Sequence, residues 1–256
     1  MGCLRKLVTT LRMLQILRST WFRRTLLALI LLFVGFVLYV VLGSRGVRGR
    51  IGRIGDFMEN PAAFPEWHIT GGERCGDAPM LMPTSGFIGV RWNDGLAPIY
   101  QHTGFDIFGP DGSDNVTPIY AVYDGYLTRE ENWRSAIIIR HPDFDALPEI
   151  VGDDQIWSYY THLASRDGET SFISEEFPRG TREKFVEAGT LLGYQGSWSG
   201  TTERDMARHL HLSIVKTDAN GNYLNETQIA NTLDPTPFLG LEYTEDQILK
   251  CLAGSR

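Results

Sequence analysis

Residues 209–215 read His-Leu-His-Leu-Ser-Ile-Val, and this alternation decides the fold. Successive strand side chains point to opposite faces, so His209 and His211 share one face while Leu210 and Leu212 take the other. A polar face backed by an apolar one marks a half-buried strand. A second stretch, His102-Thr-Gly-Phe-Asp106-Ile-Phe108, is short, aromatic and β-branched, with turn residues Gly109, Pro110 and Gly112 behind it. It also reads as a strand, with His102 and Asp106 on one side and Phe105 and Ile107 turned into a core. Between the two in sequence lies His162, in Tyr159-Tyr-Thr-His-Leu-Ala-Ser165. If the strands are neighbours, three or four ligand-type groups converge. Such a set supplies what an open zinc site needs: two or three nitrogen or oxygen ligands, room for water and a nearby base.

His-x-His or His-x3-Asp alone is a weak signal; order and flanking residues make it specific. After His102-Thr-Gly104-Phe-Asp106 come Pro118-Ile-Tyr-Ala121-Val-Tyr-Asp-Gly125, the apolar run Ala136-Ile-Ile-Ile-Arg-His141, and Tyr160-Thr-His162-Leu163. Then follow Val186-Glu-Ala-Gly189-Thr-Leu-Leu-Gly193-Tyr-Gln-Gly196 and His209-Leu-His211-Leu. In this order, over about residues 98–217, the chain resembles the lysostaphin-type peptidoglycan metallopeptidases, also called peptidase family M23 or LytM domains. The resemblance implies a mainly β domain, an antiparallel sheet with an open groove. It implies His102, Asp106 and His211 as ligands of one zinc ion, and His162 and His209 as catalytic histidines. Two neutral imidazoles and one carboxylate leave a fourth tetrahedral position, the count of a catalytic rather than a structural site. A histidine that is not a ligand can take a proton from water or steady an oxyanion.

Other candidates read differently. His141 ends an apolar strand before Pro142 and is expected at a surface strand end. His68 carries no signal. The glycines at 125, 189, 193, 196 and 200 are expected as turn formers with positive φ; no phosphate-loop or dinucleotide pattern occurs. The three cysteines contain no Cys-x-x-Cys, which argues against a thiolate zinc knuckle. Cys75 and Cys251 could pair outside a reducing cytosol.

The N-terminus says where the chemistry would happen. Residues 25–42, TLLALILLFVGFVLYVVL, are uncharged and almost wholly apolar. As a helix they reach about 27 Å, enough for a bilayer core. No small-residue cleavage site follows, so residues 25–43 read as a retained transmembrane signal anchor. Residues 1–24 form a basic segment, expected on the cytoplasmic side as an amphipathic helix against anionic lipid. Residues 44–57 alternate Gly and Arg and are expected to be a flexible tether. Residues 58–256 would be the metallopeptidase domain, lying in the periplasm or at the cell surface.

Charge excludes one class of partner. Residues 1–54 hold ten of the 24 basic residues and none of the 31 acidic ones, which leaves −17 on the remainder. An acidic domain lacks the footprint that nucleic acid requires. Short strand-like segments are expected at 87–91, 105–108, 118–122, 126–128, 136–140, 157–162, 190–194 and 209–215, separated by turn signals. One helix is expected near the end, where Thr244-Glu-Asp-Gln247 forms a capping box before Ile248, Leu249 and Leu252.

Three segments exceed the compact family pattern: 141–158, 164–185 and 196–208. They join strands that should border the groove, where loops set specificity. Trp198, Trp157 and Tyr160 are candidates to line it. The expected activity is hydrolysis of peptide bonds in peptidoglycan cross-links or stem peptides by an anchored zinc endopeptidase. The alternative is a non-catalytic LytM-type module that binds wall or activates another hydrolase. Degenerate modules of that kind lose zinc ligands, whereas all five positions stand here. A cupin-like site fails for want of a suitably spaced glutamate and later histidine.

Overall fold

The computed structural model describes residues 20–96, 100–151 and 155–251. The amphipathic helix expected in the N-terminal basic segment falls almost wholly on residues 1–19, outside the described ones. Contacts divide the chain into two units, Met1–Gly46 and Val47–Arg256. The first described element is α1 (Thr20–Glu59). Its stretch Thr20–Leu42 has a mean hydropathy of 2.9 and none of its most apolar window is buried, so it is long and apolar enough to cross a membrane.

Residues 44–57, expected as a tether, are helical and belong to α1. Arg and Ile are ordinary helix residues, and each glycine costs only about 1 kcal/mol. In the second unit Phe57 is fully buried against Phe87 and Ile248, with Ile54 packed beside them, and that burial offsets the cost.

Strands β1 (Phe87–Val90), β2 (Gly95–Leu96), β3 (Tyr100–Gln101), β4 (Phe105–Phe108) and β5 (Pro118–Tyr120) come next. They are followed by β6 (Gly125–Thr128), β7 (Ile137–His141), the single turn α2 (Pro148–Val151), β8 (Ile156–Thr161), β9 (Lys184–Val186) and β10 (Leu191–Tyr194). β11 (Leu210–Val215), β12 (Thr232–Leu233), β13 (Leu241–Tyr243) and β14 (Leu249–Cys251) complete the series. The main sheet is antiparallel in the order β1-β4-β11-β8-β7-β6-β9, with β12 also on β11. The mainly antiparallel β architecture expected from the alternation is therefore present.

Parity along the central strands separates two faces. Phe105 and Ile107, Ile137 and Ile139, Tyr160, and Leu210, Leu212 and Ile214 all enter the principal core. Asp106, His211 and Thr161 stand in register on the opposite face. Trp157 packs on this second face beside Ile138 and Val215, while Tyr160 is wholly in the core; neither lines the groove.

The same parity corrects His141. It shares the core face with Ile137 and Ile139 and is fully buried. Its Nδ1–H donates to the Asp124 carbonyl (2.7 Å), so Nε2 accepts from the Ser158 hydroxyl (2.8 Å). Ser158 has then given its only proton, so the Tyr160 hydroxyl donates to Ser158 Oγ (3.1 Å) and itself accepts Val122 N–H (3.0 Å). Each group in this chain is satisfied with His141 neutral. Burial pushes the His141 pKa down to about 4. Unfolded His141 takes a proton near pH 6.5, which the folded state refuses until pH 4, so stability falls across that window as the pH drops. The expected loss is about 3 kcal/mol. Denaturant unfolding at pH 7 and pH 4 should show a smaller difference for His141→Gln than for the wild type; equal differences would refute this account.

The C-terminal helix is not formed. Residues 241–251 make the hairpin β13–β14 instead. Thr244 Oγ1 accepts Ile248 N–H (3.0 Å), and Gln247 closes the turn at φ 61°. The hairpin buries Ile248 and Leu249 and places Cys251 in a disulfide with Cys75, tertiary contacts that override the local capping signal. Of the five glycines expected at positive φ, Gly189, Gly193 and Gly200 have it, but Gly125 and Gly196 do not. A Cβ on either would fall within 2.3 Å of a backbone carbonyl, so those two serve close packing.

Candidate metal centre

Asp106 sits in the middle of β4 and pairs with His211 of β11. His211 is aimed by the strand pleat. His102 is not on a strand with Asp106; it lies in the bend before β4, with its N–H on the Asp94 carbonyl and its carbonyl taking the Asn93 N–H. Gly104 permits that bend, since a Cβ there would meet the Leu212 carbonyl oxygen at 2.1 Å. The three groups meet at one point. His102 Nε2 is 3.0 Å from Asp106 Oδ1 and 3.1 Å from His211 Nδ1, and His211 Nδ1 is 2.8 Å from Asp106 Oδ1.

The far nitrogen of each ligand-type ring decides its protonation. His102 Nδ1–H donates to the Arg91 carbonyl (3.1 Å), and His211 Nε2 lies 2.9 Å from Ser213 Oγ, which can accept its proton. The His102 ring therefore turns a lone pair toward Asp106, and the His211 ring does so in the tautomer whose Nε2–H donates to Ser213 Oγ. Three acceptors at contact distance need a positive centre, and a shared proton or a metal ion can provide it. Without metal, burial disfavours charge on His102 but the Asp106 carboxylate outweighs it and raises its pKa. Burial likewise opposes ionisation of Asp106, yet His209 and His102 hold its pKa well below the usual carboxylate range. Burial lowers the His211 pKa. Neutral donors around a retained carboxylate suit zinc, whose binding would displace the shared proton. His102, Asp106 and His211 could hold such an ion, with all three ligand atoms within 4.8 Å of one another.

Two further histidines flank this cluster. His209 precedes β11; its Nδ1–H donates to the Ala207 carbonyl (2.7 Å), and its Nε2 lies 3.4 Å from Asp106 Oδ1. Its ring stacks on Phe108 at 5.0 Å. His162 follows β8 in a left-handed conformation, φ 76°, which swings it off the strand path. Its Nδ1–H donates to the Trp198 carbonyl (2.7 Å), and its ring centroid is 4.6 Å from that of His209. Burial pushes the His162 pKa down to about 3. All five residues singled out from the sequence thus come together, two of them from irregular backbone.

The site opens into a groove of about 1360 Å³. Trp198 lines it, with the Arg134 guanidinium 5.8 Å from its ring centroid. Segment 196–208 supplies much of one wall. Ser213 escapes a reading of the sequence, although it continues the His209, His211 parity. The carbonyls of Arg91, Ala207 and Trp198 leave no side-chain signature to read.

The sequence matches no protein-family model and no curated protein. Solved structures to which the chain is similar include the antimicrobial peptidase lysostaphin of Staphylococcus simulans, at 17% identity over 70% of this chain and 64% of that one, TM-score 0.37. A second is the catalytic domain, as a point mutant, of the prophage-encoded M23 protein EnpA of Enterococcus faecalis: 21% identity, 54% and 87% covered, TM-score 0.32. A third is a lytM protein of Ruminococcus gnavus: 21% identity, 53% and 45% covered, TM-score 0.34. The chain spans less than two thirds of the lysostaphin and Ruminococcus chains.

Proposed function

We propose that this chain is a membrane-anchored zinc metalloendopeptidase that hydrolyses peptide bonds in peptidoglycan cross-links or stem peptides. The observation that carries this reading is the convergence of three ligand-type atoms within 3.1 Å of one another, the His102 ring held from behind by the Arg91 carbonyl. His102 Nε2, Asp106 Oδ1 and His211 Nδ1 would hold the ion. Zinc would supply Lewis acidity there, polarising a carbonyl and lowering the pKa of water.

The chain's own residues supply the rest. His162 and His209 each donate Nδ1–H to a backbone carbonyl, which leaves Nε2 as the acceptor on His162 and turns Nε2 of His209 toward Asp106. Such a pair can take the proton of an attacking water, return it to the leaving amine, and stabilise charge that develops on the carbonyl oxygen. Burial holds His162 neutral. Phe108 and the carbonyls fix the ring planes, so little reorganisation is needed. The apolar stretch 20–42 suits a membrane anchor, and the Cys75–Cys251 bond suits an oxidising, extracytoplasmic compartment.

The full chain in detergent should bind about one zinc per molecule and release fragments from peptidoglycan. Mass spectrometry of the muropeptides would identify the bond cut, and a chelator should abolish release. Zinc bound without cleavage of any wall type would instead favour a module that activates another hydrolase.

A further inference from the structure

The helical turns after the apolar stretch border the groove. Ile54 and Phe57 lie three residues apart on one side of α1 and pack on the domain. Phe57 is fully buried with Phe87 and Ile248. Ile54 is so close to β1 that a Cβ at Gly89 would fall 2.4 Å from Ile54 Cγ1. Arg53 Nη1 donates to the Asp246 carbonyl (2.7 Å), fixing the same turns to the C-terminal hairpin. Ile51 continues the Ile54–Phe57 stripe, yet 61% of it is exposed. It is exposed into the groove, where Ile51, Ile54, Tyr100 and Phe108 share the lining with His102 and Asp106.

Position in the sheet gives this wall its chemistry. β1 and the helix flank β4 on the side away from β11, so the Ile51 wall borders the centre on the β1–β4 side. The opposite wall, beyond β11, carries Trp133, Arg134 and Tyr159. One flank of the cluster is therefore aliphatic and aromatic, and the other aromatic with charges of both signs, Arg134 and Glu226.

We propose that Ile51 and Ile54 of α1 are part of the substrate-binding groove, and that Ile51 is a specificity-determining residue contacting an apolar side chain of the peptide beside the bond to be cut. An alanine methyl or the methylene stem of a long side chain has the right chemistry. The uncovered end of an otherwise docked apolar stripe, continuous with the cluster, is where such a group would lose water. The inference rests on the peptidase reading above.

The test uses the full chain in detergent, loaded with zinc, and a purified cross-linked muropeptide. Ile51→Ala should raise KM about fivefold and Ile51→Asp more, with kcat and zinc content within twofold of the wild type. The muropeptide Kd, measured in a His209→Ala background that does not turn over, should rise by the same factor. Gly52→Ala and Gly55→Ala add a methyl where nothing lies within 4 Å, so they firm the helix without touching the groove and should leave KM unchanged. KM and Kd unmoved in both Ile51 variants, or moved equally by the glycine variants, would overturn the proposal while cleavage by the wild type upholds the peptidase reading. Muropeptide binding weakened by Ile51→Asp, together with no cleavage by the wild type, would uphold the wall and sink the peptidase reading. Absence of both binding and cleavage would overturn both.

Discussion

His209→Ala should keep its zinc and lose turnover by roughly 10³-fold. His209 is not among the three atoms at mutual contact; its Nε2 stands 3.4 Å from Asp106 Oδ1, outside the 2.8–3.1 Å triangle. Removing it leaves both imidazoles of that triangle with their carbonyl or hydroxyl partners. What goes is a ring nitrogen aimed at the reacting region and braced by Phe108 and the Ala207 carbonyl. Zinc content by mass spectrometry and kcat on a muropeptide read the two effects separately. A kcat within tenfold of the wild type, with metal retained, would remove His209 from the chemistry. His162 would then have to act as sole proton acceptor.

His211→Ala should lose the metal itself, with an affinity drop on the order of 10³-fold or more. That exceeds the 10- to 100-fold typical of changes behind a ligand. Ser213→Ala belongs to the milder class: it removes the hydroxyl that His211 Nε2 meets at 2.9 Å, and so frees the ring to take the other tautomer. The two variants should therefore fall in order, wild type above Ser213→Ala above His211→Ala, in competitive zinc titration. Thermal unfolding gives an independent reading, because an ion that binds only the folded chain raises Tm by mass action. Zinc should raise Tm in the wild type and scarcely at all in His211→Ala. Equal zinc affinity in all three proteins would place the metal elsewhere.

Much of the fold and of the cluster is legible in the amino-acid sequence, for a definite reason. A strand has a period of two, so the pairs His209 and His211, and Phe105 and Ile107, declare their faces directly. Asp106 and His211 then need only adjacent strands, which β4 and β11 provide. Residues off regular backbone give no such sign. The parity of a strand over 102–106 brings His102 to the correct place for the wrong reason, since a glycine-permitted bend carries it. His162 depends on a positive φ that no side-chain pattern announces. For His141 the neighbouring Pro142 suggests a surface strand end, whereas its parity with Ile137 and Ile139 is what decides its burial. The C-terminal hairpin is hidden because a threonine that caps a helix can equally close a turn. The helical course of 44–57 depends on what Ile54 and Phe57 meet, a tertiary contact that overrides the local composition.

The hairpin that replaces the expected helix also ties the groove to its surroundings. Its outer strand ends in Cys251, bonded to Cys75 across a sequence separation of 176 residues, and its turn offers Asp246 and Ile248 to α1. A single covalent bond thus secures the surface on which the Ile51 wall rests. A chain reduced at that bond should keep its ligand triangle, which draws on β4, β11 and the His102 bend, yet have a loosened rim. Metal affinity and peptide affinity would then separate, the first indifferent to the Cys75–Cys251 bond and the second dependent on it.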